Sequence, residues 1–253
     1  MVCRRVAPAF LIASLLGVTF AVATVAVACA GEPHALIELF TSQGCSSCPA
    51  ADRLMGQLAK DPALVALSVP VDYWDYLGWR DTLANPAHSV RQRAYARVRG
   101  DGQVYTPQIV VNGTVDALGS DQAAVEQAIA ETTKESGVMS VPITLSVSGS
   151  ALSVKVPSAE TNEQAAGEVW LCPLARTVAV AIARGENRGR TIIYHNVVRN
   201  WLKLGDWKGA ESTWDVPLPQ IKAAGIDAAA VMLQQGTHER PGIVLGAALT
   251  PLQ

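Results

Sequence analysis

The sequence predicts an α/β domain followed by a mainly β domain, the latter an antiparallel sheet or sandwich. Three observations predict it. From residue 35 to 136, short apolar runs alternate with helical patterns, the rhythm of strands covered by helices. Beyond about 137–140 the helical period fades, and strand-like segments separated by polar turns replace it. Ahead of both, residues 1–30 carry the pattern of an export leader. The expected division is therefore a signal peptide at 1–30, an α/β domain at 31–137 and a β domain at 138–253.

In the leader, Arg4 and Arg5 precede an uncharged apolar stretch from Val6 to Val27, and Ala28-Cys29-Ala30 offers a small-residue cleavage site before Gly31. The protein is expected in the periplasm or outside the cell, with no membrane attachment after cleavage. An uncleaved anchor is the alternative, because 22 apolar residues can span a bilayer. A lipoprotein acylated at Cys29 is a weaker one. Cleavage would remove Cys3 and Cys29 and leave Cys45, Cys48 and Cys172, one close pair and a singleton. That is not the dispersed, even set of a disulfide-stapled scaffold. The formal charge of −2, with no basic stripe, excludes nucleic acid as a partner.

Ala35 to Phe40 reads as a nearly continuous apolar strand, suited to a sheet covered on both faces. Pro49 to Lys60 reads as a helix with Leu54, Met55 and Leu58 on one face. Leu64 to Val71 is a second strand, and the β-α-β unit closes as a right-handed parallel crossover. Asp72 to Asp81 shows no clean period and reads as an aromatic loop or broken helix. Asn85-Pro86 opens a helix to about Arg99, with Val90, Ala94 and Val98 inward and Arg91, Arg93, Arg97 and Arg99 on a solvated face. Pro107 opens a third strand, Asn112-Gly113 is a two-residue hairpin turn, and Thr114 to Leu118 returns. Gly119-Ser120-Asp121 caps a last helix. In the second half, strands are expected at 143–147, 152–156, 168–174, 177–183, 191–198, 231–235 and 243–249.

The strongest chemical signal is Cys45-Ser46-Ser47-Cys48, set at the turn between the first strand and its helix. Cysteine attacks as thiolate, and free amides with the positive end of a helix lower a thiol pKa. Two intervening residues let the thiols close on each other. No cofactor is required beyond this pair. His34, His88, His195 and His238 show no metal spacing, and no Met or His beside the pair favours a soft-metal site. Glu38 lies inside a buried strand, which is costly for a carboxylate without a role. The aromatic loop leaves the strand end from which Cys45 emerges, where ligands bind in open α/β sheets. Its Tyr73, Trp74, Tyr76 and Trp79 wall or cover the dithiol there as a substrate groove or lid, or else form a satellite core against the second domain. Cys172 is a buried inert thiol or a third redox thiol.

Five strings go further: ELFTSQGCSSCP at 38–49, VDYWDYLGWRD at 71–81, RQRAYA at 91–96, YTPQIVVNG at 105–113 and GENRGRTIIYHNVVR at 185–199. With them the chain resembles the exported, thioredoxin-like proteins of the domain of unknown function 1223 family. The resemblance implies a thioredoxin-like fold for the first domain, Cys45 as exposed nucleophile and Cys48 as resolving thiol. It implies a cis Pro107 beside the pair, with Thr106, next to Tyr105, offering its backbone to an extended substrate. It implies a proton-accepting role for Glu38, and a substrate-binding one falls to Trp74 and Trp79. The leading expectation is a thiol–disulfide oxidoreductase acting on protein or small-molecule thiols and disulfides, with an unidentified electron donor or acceptor. The alternatives are a binding module whose Cys45–Cys48 disulfide only braces a turn, and a chaperone for a soft ion such as copper.

Overall fold

The computed structural model describes residues 32–159 and 166–252; the predicted leader, with Cys3 and Cys29, lies outside the described residues. Strand β1 (Ala35–Thr41) is buried at all seven positions, as its unbroken apolar run requires. It lies parallel to β2 (Leu64–Pro70), in register from Ala35 opposite Leu64 to Thr41 opposite Pro70. On its other side it is antiparallel to β3 (Gln108–Val111), which turns at Asn112-Gly113 into β4 (Val115–Leu118). Both turn residues have positive φ, 49° and 82°, the conformation that selects Asn-Gly in such hairpins.

Strand alternation sends neighbouring β1 side chains to opposite faces. Ile37 and Leu39 pack with Leu54 and Met55 of helix α1 (Cys48–Leu58). Leu36 and Phe40 pack with Tyr95 of helix α2 (Pro86–Arg99). Asn85 caps α2 by accepting from the Ala87 N–H at 3.0 Å, and Asp121 caps α3 (Gln122–Thr132) through the Ala124 N–H at 3.1 Å.

The rest is β5 (Thr144–Ser148), β6 (Ala151–Val156), β7 (Gly167–Ala181), β8 (Thr191–Val198), β9 (Leu202–Trp207), β10 (Ser212–Pro217), a single turn α4 (Leu218–Ile221), β11 (Ala228–Thr237) and β12 (Arg240–Pro251). Here the structure corrects the predicted fold class. There is no separate thioredoxin-like α/β domain: the chain is mostly β, and one mixed sheet of nine strands runs β12-β11-β7-β8-β2-β1-β3-β4, with β9 also on β7. The physical reason is the edge of β2. It is occupied by β8, which lies parallel to it at Ser68 and Val197, and Asn196 Nδ2 donates to the Ala66 carbonyl at 3.0 Å. The segments predicted as strands at 168–174 and 177–183 are one 15-residue strand, β7, whose first part pairs β11 and whose second pairs β8. A smaller sheet, β10-β6-β5, closes a second core around Trp207, Leu152 and Val231.

The buried face of α2 also differs from expectation. Val90 and Val98 are 45% and 48% exposed, whereas Arg91 is fully buried. Ala94 is buried as expected, but Arg91, which finds the carboxylate of Glu38 inside the fold, is buried in place of the two valines.

Candidate functional site

Cys45 and Cys48 are joined as a disulfide, with Cα atoms 5.4 Å apart. The Ser42 carbonyl accepts from the Cys45 N–H at 3.2 Å and the Cys45 carbonyl from the Cys48 N–H at 3.3 Å, so the turn and the helix start are continuous. Ser47 is the N-cap, yet its side chain makes no capping bond, and no acid stands in the first turn of α1. The positive end of the helix is therefore left for the sulfurs. Ser47 Oγ lies 3.3 Å from Cys45 Sγ. Both cysteines are covered: Cys45 is 2% exposed and Cys48 not at all, while Ser46 and Ser47 face solvent.

One part of the cover comes from the aromatic segment. Trp74 Nε1 donates to Thr106 Oγ1 at 2.8 Å. A Cβ on Gly44 would stand 3.0 Å from the Trp74 Cβ and 3.2 Å from its carbonyl, so glycine is what lets Trp74 settle beside Cys45. Tyr76, largely exposed, stacks on Trp74 at 6.4 Å. Thr106–Pro107 is cis. A Cβ on Gly119 would meet both Pro107 and Ala51, which places the proline against α1 one turn after the disulfide. Thr106 is thus tied to Trp74, which lies against Gly44, the residue before Cys45, and Pro107 lies near Ala51 of α1. Tyr105 is bonded elsewhere: its hydroxyl donates to Asp116 on β4 at 2.9 Å. Trp79 reaches the turn less directly. Its Nε1 donates to Gln43 Oε1 at 2.8 Å, and its ring packs with Leu83, Ile182 and Tyr194, the satellite core that was the alternative for this segment.

Glu38 stands apart from the pair. Its β1 position points to the α2 face, away from α1. There it accepts from Arg91 Nε at 2.6 Å, Arg91 Nη2 at 2.9 Å and the Tyr95 hydroxyl at 2.5 Å. Arg91 Nη2 also donates to Gln234 Oε1 on β11 at 2.9 Å, and the guanidinium lies over the Trp201 ring at 4.5 Å. Glu38 and Arg91 form a structural ion pair tying β1, α2 and β11 together.

Two residues not singled out from the sequence matter more. Asn187, in the turn after β7, is fully buried, and its Nδ2 donates to the carbonyls of Gln43 at 2.9 Å and Cys45 at 2.8 Å. Arg190 Nη1 in turn donates to Asn187 Oδ1 at 3.2 Å. Asp52 sits one turn after Cys48 in α1, on the same face by helical spacing. Its Oδ1 accepts from Thr41 Oγ1 at 2.7 Å, and its Oδ2 is buried with no partner. Burial, above all, pushes the Asp52 carboxyl up to about 8; the Thr41 hydrogen bond opposes the rise, and Asp81 adds to it. The available signals were the GENRGR string for Asn187 and, for Asp52, an acid at helical spacing from Cys48.

Cys172 is buried on the α2 side of the sheet, and burial pushes its thiol up, which makes it unreactive. Among the described residues, no three His, Cys, Asp or Glu side chains converge as a metal site. No helix among them is long and apolar enough to cross a membrane.

Comparison with known proteins follows the same outline. The family described as protein of unknown function (DUF1223) matches residues 36–234, most of the chain. A crystal structure of a protein from Agrobacterium tumefaciens is similar to this chain at 28% identity, with a TM-score of 0.76, covering 87% of this chain and 94% of that one. No curated protein matches.

Proposed function

The chain belongs to the DUF1223 family, and from that premise we propose that it is a thiol–disulfide oxidoreductase whose working group is the Cys45–Cys48 pair. The observation that carries the proposal is the disulfide itself, closed at the uncapped N-terminus of α1 with a serine hydroxyl 3.3 Å from Cys45 Sγ. A helix N-terminus favours the thiolate in either half of the exchange.

The steps balance as follows. A substrate thiolate attacks Cys45 Sγ, the Cys45–Cys48 bond breaks, and Cys48 leaves as a thiolate that takes up a proton. A second substrate thiol attacks the mixed disulfide. Cys45 is released and protonated, and the substrate departs as a disulfide. Two electrons and two protons pass to the pair, and the reverse sequence oxidises the pair's reduced form. The pattern of residues 1–30 supports an exported setting, where disulfides persist.

A second reading has its own support. Cys45 is 2% exposed, which favours a disulfide that braces the turn under Trp74 and Asn187. Thiol-trapping mass spectrometry across a glutathione redox series separates the two. An exchanging pair titrates as a two-electron couple while the protein stays folded, and Cys45→Ser abolishes insulin disulfide reduction. A brace stays oxidised until the protein unfolds.

A further inference from the structure

Along the helix that follows the disulfide runs a groove that the exchange steps leave unused. It lies between α1 and β8, begins at Pro49, the residue after Cys48, and encloses about 910 Å³, within the range of small-molecule sites. Between two of its lining residues α1 and β8 come close enough that a Cβ on Gly56 would stand 2.7 Å from the His195 ring. A second hollow of about 430 Å³ continues past this point, sharing Gly56, Lys60 and His195.

The lining is cationic. Arg53, Lys60 and Arg190 all face the groove. Among the described residues none of the three is in an ion pair with a carboxylate. Three unmatched cations on one groove stand out in a chain of net charge −2. The one acid in the lining is Asp52, whose carboxyl burial holds protonated at neutral pH, and whose Oδ2 has no hydrogen-bond partner. Burial first, and then the charge of Lys60, lower the pKa of His195. Arg190 joins the groove to the redox turn, because it bonds Asn187, which holds the Cys45 carbonyl.

We propose that this groove binds a carboxylate-bearing, low-molecular-weight thiol or disulfide and presents its sulfur to Cys45. This rests on the exchange chemistry proposed above. The wall from Pro49 to Lys60 is about 17 Å long at 1.5 Å per residue, room for a tripeptide-sized ligand with its carboxylates on the cations and its sulfur at the Cys45 end.

The test uses the full oxidised protein and S-methylglutathione, whose sulfur cannot exchange, followed by calorimetry at low salt. Saturable binding is expected, weakened about tenfold or more in Arg53→Glu/Lys60→Glu and by added salt. The absence of saturable binding overturns the proposal, as does equal affinity in the double variant or binding of an acidic hexapeptide in place of S-methylglutathione. A second measurement follows mixed-disulfide formation at Cys45 in reduced Cys48→Ser. Glutathione disulfide is expected to lose about tenfold in rate when the two cations are reversed, and uncharged hydroxyethyl disulfide far less. Equal losses for both overturn presentation of the sulfur through the groove. If neither disulfide reacts with Cys45, the exchange function fails, while the calorimetry still decides whether the groove binds the anion.

Discussion

The two faces of β1 treat a buried acid in opposite ways. On the α2 face, Glu38 is paired: a two-pronged bond to Arg91, a hydroxyl from Tyr95 and a link through Arg91 to Gln234 satisfy both carboxylate oxygens. His88 on the same helix places Nδ1 2.7 Å from the Pro70 carbonyl, and burial lowers its pKa to about 4, so it donates there as a neutral ring. On the α1 face, Asp52 is left half-satisfied, next to a disulfide and a groove. Arg91 Nη1 and His88 Nε2 on the α2 face are buried without partners too, but both oxygens of Glu38 are bonded, and its cluster ties elements into one arrangement. An unpaired buried acid is a cost that packing alone does not require. The α2 face is built for cohesion, and the chemistry belongs to the α1 face.

The largest expected effect falls on the cohesive face. Arg91→Met leaves Glu38 buried without its cation and should destabilise the protein by about 3–5 kcal/mol in chemical denaturation. The further change Glu38→Leu in that variant should recover most of the loss. The rate at which dithiothreitol reduces Cys45–Cys48 in the folded variant should not change, since the pair lies across the sheet. A faster rate would break the division between the faces. Asp52 gives the next effect, with a sign that follows from its raised pKa. Below about pH 4 both folded and unfolded chains hold the proton. As pH rises toward 8, the unfolded chain releases it first, and the folded state loses stability relative to it. Asp52→Asn removes this term while an oxygen remains for Thr41. The stability of the variant relative to wild type should therefore climb by about 1.4 kcal/mol per pH unit between pH 4 and 8 and then level off. A flat difference would mean that Asp52 is ionised and solvated.

The sequence exposes these two faces unequally. The Cys45-Ser46-Ser47-Cys48 turn, the Asn85 and Asp121 caps and the Asn112-Gly113 hairpin are local signals, each decided within a few residues, and the structure has each in place. Arg91 was unreadable because its partner lies 53 positions away, and an arginine on a helix with exposed valines looks like solvated surface. The fold class failed for the same reason on a larger scale. Whether β2 ends a sheet or continues into β8 depends on pairing Ser68 with Val197, and periodicity says nothing about which strand takes an edge. Asn187 is the clearest case at the site: 142 positions separate it from the carbonyl it holds.

Asn187 also provides the smallest and most discriminating test. Its single amide donates to two carbonyls on the strand-to-helix turn, Gln43 and Cys45, and both bonds are buried. Asn187→Ala strands those acceptors and should cost about 1–2 kcal/mol, less than either change above. Its effect on the sulfurs should be out of proportion to that cost. Once the clamp is gone, the turn carrying Cys45 loses its hydrogen bonds to the segment between β7 and β8, and the disulfide should be reduced by dithiothreitol about three to ten times faster in the folded protein. Hydrogen exchange at the Cys45 and Cys48 amides should rise in parallel, with protection in α2 retained. Destabilisation without faster reduction would make Asn187 a fold contact like Arg91, and the α1 face would then differ from the α2 face only in its charge.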